Sequence, residues 1–69
     1  MKINSDFTVA CDSLQMTLSG WGTGGRNLET NPITHDEVIT EIRYLLKIGY
    51  MLSFRDLRDM IRIFSPIFL

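Results

Sequence analysis

The sequence holds one cysteine, Cys11, and one histidine, His35, in 69 residues. A lone cysteine excludes an intrachain disulfide. With a single histidine beside it, a closed Cys/His zinc cage cannot be completed within the chain either. Net charge is also scarce. Seven Lys and Arg face eight Asp and Glu, a formal charge of −1, which argues against a protein built around a strong nucleic-acid-binding field. Long apolar runs are missing. No stretch approaches the ~20 apolar residues needed to span a bilayer. After Lys2, Asn4, Ser5 and Asp6 interrupt the apolar core that a secretory signal requires. The expected setting is therefore cytoplasmic, without a membrane partner. Disorder is equally excluded, because 45% of the residues are hydrophobic.

What is present divides at a glycine cluster. Residues 1–18 are an N-terminal segment rich in Ser, Thr and Asp, 19–34 read as a Gly-rich linker, and 35–69 as a helical hairpin with an apolar tail. Thr34-His35-Asp36-Glu37 has the spacing of a capping box, flanked by Ile33 and Val38 as a hydrophobic staple. Val38, Ile39, Ile42, Leu45 and Leu46 follow at helical spacing, Lys47 sits in the last turn, and Gly49 suits a left-handed helix end. This predicts a helix over 35–48. The grammar repeats in Ser53-Phe54-Arg55-Asp56, with Leu52 and Leu57 as the second staple. Phe54, Leu57, Met60, Ile61 and Phe64 make an apolar stripe, and Arg55, Arg58, Asp59 and Arg62 the polar face, with Arg55 and Asp59 spaced to pair. A helix over 54–64 follows, ending before Pro66. The short connection implies an antiparallel hairpin.

The first eighteen residues admit two readings. Phe7, Val9 and Cys11 alternate, as do Leu14, Met16 and Leu18, so two short strands fit. Asp12 with Gln15 makes a cap pair, and Leu14, Leu18 and Trp21 have helical spacing. A short helix near 13–19 is the preferred reading. One hairpin buries too little to offset the entropy of ordering it. With no disulfide or metal to help, the core is expected to close by homodimerisation, centred on Leu45, Leu46, Leu57, Ile61 and Phe64.

Motifs that could carry chemistry are few. Gly20-Trp21-Gly22-Thr23-Gly24-Gly25 matches GxGxxG. A phosphate cradle would need a strand before it and a helix after it. Arg26 to Pro32 reads as loop, so a linker is expected. Cys11 and His35 could pair as nucleophile and base, but no third residue stands out to orient them. Cys11 is expected half-buried and His35 exposed at a helix start. No catalytic residue, cofactor or metal is assigned, and an enzyme is not expected. Trp21, Tyr44, Tyr50, Arg55, Arg58 and Arg62 are the candidate contacts with a partner, against a preferred reading of Trp21 docked on the helices and of the three arginines as a solvated face with intrahelical ion pairs. The two tyrosines combine an apolar ring with a polar tip, as interfaces favour. The three arginines share one side of a helix. A helix-turn-helix anchored on Gly49 would turn Arg55 and Arg58 inward, and Asp56 and Asp59 would oppose phosphates, so nucleic acid ranks below an acidic protein partner.

Glu37-Val38-Ile39-Thr40-Glu41-Ile42, then Gly49, Leu52-Ser53 and Leu57, resembles the small bacterial biofilm-development regulators, or two-component-system connector proteins. The resemblance covers residues 37–64. This chain departs in its longer inter-helix connection and leaves no room for a further C-terminal helix. The resemblance implies a dimeric all-helical protein that modulates a signalling or transcriptional regulator. The hairpin also resembles anti-repressors that sequester a repressor's dimerisation helices.

Overall fold

In the computed structural model, residues 5–20, 22 and 24–65 are described. They form three helices, α1 (Phe7–Leu18), α2 (His35–Lys47) and α3 (Phe54–Phe64), with no strand among the described residues. The chain is thus mainly helical, and each helix touches the other two. Trp21 and the tail 66–69 lie outside the described residues.

The ends of α2 and α3 follow from their capping chemistry. Thr34 is extended, and its hydroxyl accepts from the Glu37 N–H at 3.2 Å. At the other end the Gly49 N–H donates to Leu46 C=O and the Tyr50 N–H to Leu45 C=O, both at 3.1 Å. This paired closure needs a left-handed residue, and Gly49 supplies it with φ +110°. It ends α2 at Lys47, one residue before the expected limit. α3 spans 54–64 as expected. Ser53 and Asp56 form the full reciprocal box, the Asp56 N–H donating to the Ser53 hydroxyl at 3.1 Å and the Ser53 N–H to the Asp56 carboxylate at 3.0 Å. Ser53→Ala is therefore expected to cost about 0.5–2 kcal/mol. A melting temperature unchanged by this substitution would contradict the cap.

The N-terminal helix corrects the sequence reading. It runs from Phe7, six residues ahead of the expected start. Asp6 precedes it without capping it. Its carboxylate instead accepts from the Met51 N–H at 2.7 Å, while the Asp6 N–H donates to Met51 C=O at 3.0 Å. Ser5 stands in, accepting from the Phe7 N–H at 3.2 Å and donating to Asp56 at 2.7 Å. The start of α1 is thereby clasped to the α2–α3 connection.

The core draws on all three helices. Ala10, Leu14 and Leu18 of α1 meet Val38, Ile42 and Leu45 of α2 and Met60 of α3, all buried. Leu57, Ile61 and Phe64 pack partly buried against this cluster. Four of the five residues expected at the centre of a dimer thus belong to the chain's own core, and Leu46 alone is exposed. Every third or fourth residue of α1 is apolar, which lets it pack against both α2 and α3.

Candidate functional site

The structure's densest polar arrangement lies in the loop that joins α1 to α2. Arg26 Nη1 and Nη2 donate to the two Glu37 carboxylate oxygens at 2.6 and 2.7 Å. Nη1 also donates to Leu18 C=O at 3.1 Å, Nη2 to Pro32 C=O at 2.9 Å, and Nε to Asn31 C=O at 2.8 Å. A guanidinium has five N–H donors, and each has a partner here. The Arg26 side chain is 9% exposed. The end of α1, the loop and the first turn of α2 are held on one planar group, whose fork geometry a lysine cannot reproduce.

This arrangement adds a stronger partner to the first capping box. Arg26 takes both oxygens of the Glu37 carboxylate, and the Thr34 backbone also contributes to holding it low. The bidentate, charge-assisted bond is the stronger of the two. The same bond holds the Glu37 carboxyl below its ordinary range and pushes the guanidinium further up. Asp56 is also held low, first by the Ser5 hydroxyl and then by the Ser53 backbone.

The glycine cluster is a closed turn. The Gly25 N–H donates to Gly20 C=O at 3.1 Å. A Cβ on Gly20 would lie 2.9 Å from the Gly25 carbonyl carbon, and Gly20 has φ +76°, so no side chain fits this neck. The element before it is a helix rather than a strand, and no helix opens at its end. The phosphate-cradle context is absent on both sides.

Catalytic chemistry finds little support at the expected pair. Cys11 is half-buried as expected. Burial raises its thiol pKa, and Asp12 and Asp56 raise it further, which disfavours the nucleophilic thiolate. His35 is not the exposed helix-start residue expected. It is half-buried, and its Nδ1 lies 2.9 Å from the hydroxyl of Ser65, which is 5% exposed. This contact joins the start of α2 to the residue after α3. No cluster of metal-ligating side chains occurs among the described residues. No described helix is long and apolar enough to cross a membrane.

The other notable feature is an apolar surface at the end of the molecule that carries the α2–α3 connection. Phe54 is 91% exposed and Met51 68%, with Tyr44, Ile48 and Leu46 also exposed. Leu46, Tyr50, Met51 and Leu52 line a groove of about 580 Å³, with Ser5, Ser53 and Asp56 on its polar side. No protein-family model matches the chain, and no curated protein or solved structure matches it.

Of the expected partner contacts, Tyr44 is exposed on α2 and Tyr50 lies half-buried in the groove wall. Arg55, Arg58 and Arg62 are exposed on α3. Arg58 Nε lies 3.6 Å from the Asp59 carboxylate, and the expected Arg55–Asp59 pair does not form among the described ion pairs. Trp21 lies outside the described residues. Phe54, with Met51 the most exposed of the large apolar residues described, was absent from the expected contacts. Phe54 was assigned to the buried stripe because it continues the spacing of Leu57 and Ile61. Its place as the first residue of α3, ahead of the core contacts, turns it to solvent instead.

Proposed function

We propose that the protein is a small, non-enzymatic regulatory module that binds another protein through the surface around its α2–α3 connection. The exposure of Met51 in the wall of an apolar groove, with Phe54 exposed next to the lining residue Ser53, carries this reading. Exposed aromatic and methionine side chains at one site are costly in water and suited to contacts between proteins. The partner in this proposal is a larger signalling or transcriptional regulator, as the resemblance to connector proteins implies. The helical hairpin formed by α2 and α3 is the scaffold that presents the surface.

The test compares the wild-type chain with Met51→Ser/Phe54→Ser. Both side chains are exposed, so the double substitution should leave the fold intact, as circular dichroism would show. Native lysate passed over each form should yield proteins retained by the wild type and lost by the variant. Identical retention by both forms would refute the assignment.

A second copy of the chain is the competing occupant, since Leu46 remains exposed among the residues expected at a dimer's centre. Sedimentation across a wide concentration range separates the two. A monomer throughout favours the larger partner. A dimer dispersed by Met51→Ser/Phe54→Ser assigns the surface to self-association. Direct nucleic-acid binding, through Arg55, Arg58 and Arg62, would instead appear as duplex-DNA affinity that falls steeply with salt.

A further inference from the structure

Charge is unevenly distributed around this surface. Between Glu41 and Asp56 there is no carboxylate, while Arg43, Lys47 and Arg55 supply three cations, all exposed. Arg43, Leu46, Lys47 and Tyr50 recur at helical spacing along the last turns of α2 and its closure. Two cations therefore run beside two residues of the groove wall. Two carboxylates also lie at this end, Asp6 beside Met51 and Asp56 in the groove lining. Asp6 is engaged by the Met51 N–H, and Asp56 by Ser5 and Ser53. They serve the clasp. Arg55 acts electrostatically on Asp56, whereas Lys47 has no ion-pair partner among the described salt bridges.

We propose that the occupant of this groove is an acidic amphipathic helix of a partner protein. Its apolar residues would seat on Leu46, Tyr50, Met51 and Leu52, and its carboxylates would lie beside Lys47 and Arg55. The inference rests on the protein-binding reading above and adds the chemistry of the partner. A helix laid in a groove presents apolar anchors at three- and four-residue spacing with charge along both flanks. This surface offers an apolar floor with Asp56 in its lining, and Arg43 and Lys47 lie at helical spacing from Leu46 and Tyr50. A concave wall fits such a segment better than a flat bilayer does. Methionine at the rim adapts to more than one anchor shape.

Titration of the full chain with synthetic amphipathic peptides tests the proposal. The peptides share one leucine spacing and carry polar faces of glutamate, glutamine or lysine. The glutamate peptide should bind about tenfold more tightly than the lysine peptide at low salt, with the gap closing as salt is added. Lys47→Glu/Arg55→Glu should invert the order without altering the helical spectrum. Met51→Ser/Phe54→Ser should weaken every peptide. If the lysine peptide binds best and Met51→Ser/Phe54→Ser abolishes it, the docking surface stands and the acidic partner is overturned. If no peptide binds, or if binding ignores Met51 and Phe54, the protein-binding reading falls with it. Retention on vesicles containing phosphatidylserine, with no peptide preference, would overturn the proposal in favour of a lipid surface.

Discussion

Leu14→Ala should destabilise the protein by about 2–5 kcal/mol, the range for truncating a buried leucine to alanine. Leu14 is 1% exposed and sits in the cluster joining all three helices. A domain of this length has only about 3–10 kcal/mol in total, so the variant should lose a large share of its stability. Val9→Ala is the control, because Val9 is 55% exposed on the same helix and should change stability by less than about 0.5 kcal/mol. Urea denaturation followed by circular dichroism measures both. Should Leu14→Ala prove as mild as Val9→Ala, α1 would not be part of the core, and closure of the hairpin by a second copy would regain its motive.

The second large effect is expected at Arg26. Its removal leaves the Glu37 carboxylate and the carbonyls of Leu18, Asn31 and Pro32 without their shared donor. Arg26→Ala should lower the melting temperature and speed amide exchange across residues 24–34 by about tenfold. Arg26→Lys should recover little of this, since an ammonium lacks the fork. A distinct signature appears in acid. Glu37 and Asp56 are both held below their ordinary range in the folded chain. Their stabilising contribution is complete above their unfolded values of about 4. It fades as pH falls below those values and is gone once pH has passed the lower folded ones. In Arg26→Ala the share belonging to Glu37 disappears, so stability should fall less steeply with acid than in the wild type. An acid limb of unchanged steepness would show that Glu37 is not held low by Arg26.

How far the fold could be read from the sequence depended on how local each signal was. α2 and α3 were legible almost to the residue, because Thr34, Gly49 and Ser53 act on backbone groups within five residues of themselves. The start of α1 was not. Asp6 looks like a cap, but its carboxylate answers to Met51, 45 residues away, and nothing near Phe7 advertises the helix. Asp12 and Gln15 offered a plausible start that the packing of Ala10 overrules. Arg26 was missed for the same reason, since its acceptors are scattered over residues 18, 31, 32 and 37. One signal was available: Arg26 is the sole Lys or Arg between Lys2 and Arg43, an isolated cation in a loop of glycine, threonine and asparagine. The exposed surface was legible in its residue types and misjudged in its membership, because periodicity locates a helix face without saying where along the helix the neighbours stop.

The neck between Gly20 and Gly25 also bears on how this chain can change length. The Gly25 N–H donates to Gly20 C=O and so joins the two ends of this turn. Residues added between them enlarge an excursion whose two ends are already joined. The entropy of such a loop grows with the logarithm of its length, roughly 0.6 kcal/mol for each doubling. α1 and α2 would keep their positions, held below the neck by Arg26. Insertions at Leu52 or Ser53 have no such refuge, since Met51 on one side and Asp56 on the other are tied to the start of α1. Relatives of this protein should therefore vary in length at the glycine turn and keep a fixed length between α2 and α3.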